Sequence, residues 1–517
     1  MSILYLAHQI LHMACKRAYR QYFDQVKHFE HVQRHQLKTI LNDANLSYEH
    51  FKTQFPITRY SDWKAKIETA RETGRNDLNH SKIIRFQPTS GSSEALKFIP
   101  YTQLFLDELD QAIGLWLSSL YLKYPHLKHS THYWSVSWLP ESQRKLTSNK
   151  NLNDDSALLS FSKRYLTKIT QSVPADIALA ESAEDAMFAT AVYLVADENL
   201  GMISVWSPTF AIQLLELIEQ HQSDIALVLN RGQWHKSSLD FLKAPRSVKQ
   251  AKRLKGLDLT DPQAWKKLWP RLDLISSWDT GSAQLWAEKL KERIAGVHFE
   301  GKGLWATEGV VTLPLEGHYP LTYQSHFYEF LDLSTEQIIP SWQLQIGQIV
   351  SPILTTGSGL TRYIIDDELK VTELYHGIPC FEFQGRKMTV DLVGEKIDQT
   401  VAMRVIAQFK REDYLPLSLL GIEQDGFKKP HYVLLSEGNN HKSPSNIELD
   451  NLLKQNFHYE LARNLGQLDE PEVKHVDDAW NYYKKVAMHN GMIEGNIKPE
   501  IIKKLRCLVD DDSCGKN

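Results

Sequence analysis

At 517 residues the chain exceeds what one ordinary hydrophobic core organises, so two domains are expected, one of them large and composite. Its 59 basic and 63 acidic side chains nearly cancel, leaving a net charge of −4 and no global field to draw it onto nucleic acid or anionic lipid. Cys15, Cys380, Cys507 and Cys514 follow neither a metal-binding nor a disulfide-framework spacing, which suits a reducing compartment and predicts free thiols.

Ile3 to Asn45 reads as packing helices, with Leu37, Ile40, Leu41 and Ala44 on one face. His8, Gln9 and His12 interrupt the apolar stretch Ile3 to Met13 and no basic residue precedes it, which favours an amphipathic helix over a signal peptide. No apolar run reaches membrane-spanning length, so a cytoplasmic protein is expected. His28, His31 and His35 read as a solvated helix face, since no carboxylate or cysteine completes a metal site. Lys82 to Phe86 reads as a strand, Leu104 to Leu122 as a helix, Tyr133 to Leu139 as a strand and Glu141 to Ser160 as a polar loop. From Met202 strands and helices alternate: Met202 to Trp206, Pro208 to Gln220, Leu272 to Trp278, Ser282 to Ile294, then Val297 to Glu300. Such alternation predicts α/β layers. Past Leu304 only strands are predicted, forming a β-subdomain over about 310–385 that ends at Gly385-Arg386-Lys387. The remainder, with a strand at His431, a helix from Ile447 to Leu465 and another from Asp478 to Asn490, reads as a small α+β domain. The expected domains are therefore 1–385 and 386–517.

The stretch from Thr89 to Pro100, TSGSSEALKFIP, joins the first strand to the helix that follows. Gly91 lets backbone N–H groups turn inward, the hydroxyls of Thr89, Ser90, Ser92 and Ser93 add donors, and Lys97 adds positive charge, a composition that holds phosphate. It lacks the Gly-x-x-x-x-Gly-Lys-Ser/Thr of a Walker A loop. Taken alone it is more often an ordinary serine-rich turn. In LWATEG, Glu308 sits between two strand-like runs, where a carboxylate holds Mg2+ against a phosphate or simply faces solvent. In RYIIDDELKV, Asp366 and Asp367 stand at a strand end suited to the two hydroxyls of a ribose, or to an ordinary turn. Arg386 follows in FQGRK and Lys396 in GEKID. No Gly-x-Ser-x-Gly elbow occurs, so covalent catalysis is not implied.

In this order the motifs resemble the auxin-responsive acyl acid amido synthetases of plants and their bacterial relatives. That family lies within the adenylate-forming superfamily of acyl-CoA ligases, luciferase and peptide-synthetase adenylation domains. The resemblance extends to PITRYSDWKAKI, LWPRLDLISSWDTGSA and GQLDEPEVKHVDDAWNYYK, and so covers most of the chain. It implies a large N-terminal α/β domain with a β-barrel portion, followed by a small mobile C-terminal α+β domain. It implies ATP and Mg2+, and as partners a small carboxylic acid and an amino acid or other amine. The acid becomes an acyl-adenylate with release of pyrophosphate, and the amine then displaces AMP to form an amide. Position by position, Ser90, Gly91, Ser92 and Ser93 match the phosphate loop and Lys97 its lysine. Ala306 and Thr307 match the segment beside the adenine, and Glu308 the catalytic glutamate on the Mg2+ or phosphate side. Asp367 matches the ribose aspartate and Arg386 the hinge-proximal arginine, while Lys396 and Lys498 match catalytic lysines beyond the hinge. The chain departs from the pattern at Glu94 and Asp366, each where relatives carry glycine, and at Glu500 in place of an arginine. An acyl-CoA ligase sharing the adenylate and a nucleotide-binding module without turnover are the alternatives. Leu109 to Tyr121, Trp134 to Trp138 and Phe327-Tyr328 are candidate walls of an acid pocket.

Overall fold

A computed structural model describes residues 2–88, 97–137, 153–154, 161–386, 389–393, 395–423, 429–438, 443–490, 492 and 497–509. Ser90, Gly91, Ser92 and Ser93 lie outside the described residues, as does the expected 141–160 loop apart from Asn153 and Asp154. The described residues divide into two compact units, one running up to Gln384 and the other from Gly385 onward.

In the first unit, α1 (Ile3–Gln25) is capped by the Ser2 hydroxyl, which accepts from the Tyr5 N–H, and it buries Leu11, Cys15, Ala18 and Tyr22 at helical spacing. After α2 (Phe29–Leu41), on which His31 and His35 are exposed as solvation predicts, β1 (Ile83–Pro88) pairs antiparallel with β2 (Phe98–Thr102). Pro88 lies opposite Phe98, which puts Lys97 at the entry to β2. The Thr102 hydroxyl accepts from the Phe105 N–H and starts α3 (Gln103–Lys123), which is buried at every residue from Ala112 to Tyr121.

β3 (Thr131–Trp134), α4 (Ala183–Ala196), β4 (Leu200–Ser204), α5 (Pro208–Gln220), β5 (Leu274–Ser277), α6 (Gln284–Arg293) and β6 (His298–Gly301) realise the expected alternation. The four strands are parallel, in the order β3-β4-β5-β6. β4 and β5 are buried at every residue instead of alternately, the pattern of a parallel sheet covered by helices. The chain then turns back on itself as the hairpin β7 (Trp305–Ala306) and β8 (Gly309–Val310). The strand-only region follows as β9 (Phe327–Asp332), β10 (Ile338–Pro340), β11 (Ile349–Thr355), β12 (Tyr363–Ile364), β13 (Asp367–Tyr375) and β14 (Ile378–Arg386). These form one sheet in the order β10-β9-β11-β13-β14, with β12 paired to β11.

The second unit begins with the short pair β15 (Thr389–Val390) and β16 (Ile397–Asp398), then α7 (Gln399–Phe409). β17 (Tyr414–Ile422), β18 (His431–Gly438), β19 (Glu472–His475) and β20 (Ile502–Leu505) form a sheet in the order β19-β18-β17-β20. The helix expected over Ile447 to Leu465 is two helices, α8 (Asn446–Leu453) and α9 (Phe457–Asn464). Asn456 breaks it, because its side chain accepts from the His458 and Tyr459 N–H groups as an N-cap. Phe457, expected at a core position, is 68% exposed as a result. The second unit closes with α10 (Ala479–His489), packed on β18.

Cys15 and Cys380 are buried free thiols, each pushed up to about 12 by burial. Cys507 corrects the expectation of free thiols, since it is disulfide-bonded; pairing is set by proximity in the fold and is not readable from spacing. Among the described residues no helix is long and apolar enough to cross a membrane.

Candidate active site

Thr307 and Glu308 form the two-residue turn between β7 and β8, with Ala306 opposite Gly309 and Trp305 opposite Val310. A buried network holds the strands of this hairpin. The Val310 N–H donates to His326 Nε2 at 3.1 Å, and His326 Nδ1 lies 2.6 Å from Glu108 Oε2. A ring that accepts at Nε2 carries its proton on Nδ1, so a neutral imidazole donates to the Glu108 carboxylate. Glu108 also accepts from the Gly357 N–H at 2.9 and 3.0 Å. The Val310 carbonyl accepts from the Tyr328 hydroxyl at 2.6 Å and from Thr322 at 3.1 Å. Gly309 packs so closely that a Cβ there would lie 2.9 Å from Leu354 and 3.1 Å from the His326 ring. From β2, the Tyr101 hydroxyl donates to the Thr307 carbonyl at 3.2 Å.

Three further groups gather at the hairpin tip. The Tyr363 hydroxyl lies 3.4 Å from Glu308 Oε1, and burial, reinforced by the Glu308 and Asp366 carboxylates, raises this phenol well above its ordinary value. It therefore stays a donor. The Tyr60 hydroxyl accepts from the Phe98 N–H at 2.9 Å, and Lys97 Nζ lies 5.7 Å from the Tyr60 ring centroid. Burial raises the Tyr60 phenol as well, with Glu308 among the carboxylates that add to the effect. Lys97, Ala306, Thr307 and Glu308 thus belong to one region of the first unit. The adjacent aspartates differ sharply. Asp366 is exposed and receives Arg59 Nη1 at 2.7 and 2.9 Å, whereas Asp367, heading β13, is 1% exposed.

In the second unit Lys396 is exposed and adopts a left-handed backbone with φ 49°. Glu395 fixes the turn before it, accepting from the Leu392 and Val393 N–H groups at 2.9 and 2.8 Å and from the Tyr432 hydroxyl. Lys498 is half-buried beside the buried Ile497. Glu500, the residue in place of the arginine, accepts from Lys503 Nζ at 2.9 Å. Arg386 ends β14, and its side chain lies outside the described residues. Among the described residues no group of three or more His, Cys, Asp and Glu is arranged to hold a metal. A cation at Glu308 would have to bring its remaining ligands with it, as Mg2+ does when it arrives on a nucleotide.

Beside the hairpin, Trp116 of α3, Trp134 of β3, Trp206 and Trp305 of β7 line a pocket with Ile113, Leu313 and Pro314 that is partly open to solvent. Its polar lining is Ser204 and Lys302. Trp134 and Ser204 are the last residues of β3 and β4, so the pocket lies at the carboxyl ends of parallel strands, where open α/β sheets bind ligands. Of the walls expected from sequence, α3 and Trp134 contribute. Phe327 and Tyr328 are fully buried in the core instead. Sequence reasoning missed Trp206, Ser204 and Lys302 in the pocket, and Tyr60, Tyr101, Glu108, His326 and Tyr363 around the hairpin. Lys302 and Tyr363 were the findable ones, since they stand inside or next to the motifs GKGLWATEG and RYIIDD.

The chain matches the family models of the GH3 family N-terminal domain over residues 14–299, the central domain over 319–386 and the C-terminal domain over 403–506. It is 24% identical over 394 residues to the indole-3-acetic acid-amido synthetase GH3.15 of Arabidopsis thaliana, a match covering 68% of this chain and 65% of that protein. A second Arabidopsis thaliana relative, the indole-3-acetic acid-amido synthetase GH3.10, is 26% identical over 199 residues, covering 33% of this chain and 34% of the relative. The chain thus spans from about a third to just under two thirds of the length of these curated relatives. The solved structure of the GH3.15 acyl acid amido synthetase superposes with a TM-score of 0.72 at 16% identity, covering 94% of this chain and 93% of that one, which establishes the shared fold. With three family domains matched in order along its length, the chain belongs to the GH3 family.

Proposed function

We propose that the protein is an ATP-dependent acyl acid amido synthetase. The observation that carries this reading is the hairpin itself: Glu308 stands at its tip and acts on Tyr60, the ring beside Lys97, while Trp305 on its first strand lines the aromatic pocket. One rigid element therefore serves an acid site and a phosphate site together. Relatives bearing the name of amido synthetase and the shared fold support the reading.

In the first half-reaction an oxygen of the bound carboxylate attacks the α-phosphorus of ATP, the bond from that phosphorus to the bridging oxygen breaks, and pyrophosphate leaves. In the second, the neutral amine nitrogen attacks the acyl carbon, the bond from that carbon to the AMP oxygen breaks, and the surplus proton passes to solvent. Bringing two anions together is a problem of charge and position, so cations and alignment carry the rate. Ser90, Gly91, Ser92, Ser93 and Lys97 bind the phosphates, Ala306 and Thr307 flank the adenine, and Asp367 takes the ribose hydroxyls. Glu308 fits Mg2+ because it is a half-buried carboxylate beside the phosphate site, and the ion when bound neutralises phosphate charge. Arg386, Lys396 and Lys498 belong to a second domain that moves between the half-reactions, excluding water from the adenylate.

The test is mass spectrometry of the products formed from ATP, Mg2+ and a pool of carboxylic acids, with amino acids or coenzyme A added in separate reactions. An amide formed together with AMP is expected. A thioester in its place would assign the protein to the ligase alternative, and binding of ATP with no AMP under any condition would overturn the enzymatic reading.

A further inference from the structure

Lys302 is 7% exposed, and its Nζ donates to the Ser204 hydroxyl at 2.7 Å. The same ammonium lies 4.7 Å from the ring centroid of Trp206 and 5.4 Å from that of Trp116. Both residues line the pocket beside the hairpin, and both rings are themselves fixed. Trp116 Nε1 points to Glu300 Oε1 at 3.4 Å, while Trp206 packs edge-on against Trp305 with centroids 5.5 Å apart. The chain path after Lys302 is equally constrained, because Gly303 has φ 72° and a Cβ there would lie 2.7 Å from the Thr312 carbonyl oxygen. The ammonium is thus held in one place within an aromatic wall.

We propose that Lys302, backed by Ser204, makes this pocket selective for an aromatic acid that carries a second carboxylate besides the one to be activated. The proposal rests on the amido synthetase reading and names the class of acid that it would take. Indole faces favour a flat, π-rich ligand. An ammonium in surroundings of low polarity attracts an entering anion far more strongly than it would in water. The carboxylate to be activated is a poor occupant for that cation. Adenylation turns it into a mixed anhydride and removes its charge on the acyl side, so a lysine held against it would favour the free acid over the adenylate. A second carboxylate keeps its charge through both half-reactions, and Lys302 holds it equally before and after chemistry.

The experiment measures quenching of tryptophan fluorescence by matched pairs, benzoate against benzene-1,3- and 1,4-dicarboxylate, and phenylacetate against 4-carboxyphenylacetate. The same acids are tested for exchange of labelled pyrophosphate into ATP. The dicarboxylate of at least one pair is expected to bind ~10 to 100-fold more tightly than its parent, the scale of one desolvated charge pair. In Lys302→Met that ratio is expected to fall to within about threefold of one, and in Lys302→Arg, which keeps the charge, to survive in part. Ser204→Ala, a smaller change, provides a folded comparison should Lys302→Met not fold, and is expected to lower the ratio by about threefold or more. Equal binding within every pair, no quenching by any dicarboxylate, or a ratio unchanged in the variants would overturn the proposal. Binding and turnover are read separately. Selective binding without pyrophosphate exchange would sink the synthetase reading and leave the selectivity standing, whereas exchange with parent acids at equal affinity would do the reverse.

Discussion

Two buried pairs flank the site, and they are built on different charges. Behind the hairpin, Glu108 is matched by a neutral imidazole, whose other nitrogen takes the Val310 N–H two residues beyond Glu308. Behind Tyr363, Glu329 is matched by a guanidinium: Arg362 Nε and Nη2 donate to its two oxygens at 2.8 and 2.9 Å, and Nη1 donates to the Lys52 and Phe55 carbonyls. Tyr48 completes that second network with a hydrogen bond of 2.9 Å to Glu329. Arg362 holds a left-handed backbone, φ 48°, and the next residue is the tyrosine that meets Glu308. A permanent cation cannot be removed without leaving a bare buried carboxylate, whereas the imidazole carries alignment more than charge. The guanidinium pair should therefore dominate stability, and the imidazole pair should register in catalysis.

The largest effect expected is on the fold. Arg362→Met should lower the free energy of unfolding by ~3–5 kcal/mol, read by urea denaturation, because Glu329 is left buried without its cation. A loss under about 1 kcal/mol would dissolve the contrast between the pairs. Glu308→Gln should leave the denaturation curve in place and slow pyrophosphate exchange by ~10²-fold, the scale of losing one preorganised electrostatic group. His326→Leu should sit between these extremes, costing ~1–3 kcal/mol for the orphaned Val310 N–H and Glu108, and slowing exchange more than its stability loss explains. Retention of the full exchange rate in His326→Leu would show that hairpin alignment does not depend on the imidazole.

A second buried imidazole sharpens the comparison through pH. His8 is set between the Tyr121 hydroxyl at 2.7 Å and the Ser130 carbonyl at 2.8 Å, and burial lowers its pKa to about 4, as it does that of His12. These rings are neutral in the fold and protonate near 6.5 when unfolded. Their contribution is complete above about pH 6.5 and is lost as pH falls from there toward 4, which melting curves across that window would register. His8→Gln should flatten the slope. The smallest effect belongs to Arg59→Ala, which removes the exposed pair with Asp366 and should change stability by less than about 1 kcal/mol.

Much of the fold was legible because it is written locally. The 208–220 helix has a proline at its start and apolar residues at helical spacing, and the alternation from Met202 to Glu300 became a four-stranded parallel sheet. Periodicity predicts one helix across Asn456 because the apolar spacing runs on through a cap residue that the structure uses as a break. In the pocket, α3 and Trp134 were visible as aromatic walls. Phe327 looked equivalent and is packed instead against Tyr48 and Phe51, since composition does not say which side of a strand faces a cavity.

By itself the sequence determined the layer architecture, the GH3 kinship and the order of Lys97, Glu308, Asp367, Arg386, Lys396 and Lys498 along the chain. Each of these is carried by runs of a few residues, whose spacing and chemistry survive without knowledge of the fold. Only the tertiary structure decided which partners those residues have. Lys302 meets Ser204 across 98 positions, and His326 meets Glu108 across 218. It also separated Asp366, on the surface with Arg59, from Asp367, buried at the head of its strand. The physical reason is that such contacts are fixed by how sheets and helices pack, and packing leaves no periodic trace in the residues that it brings together.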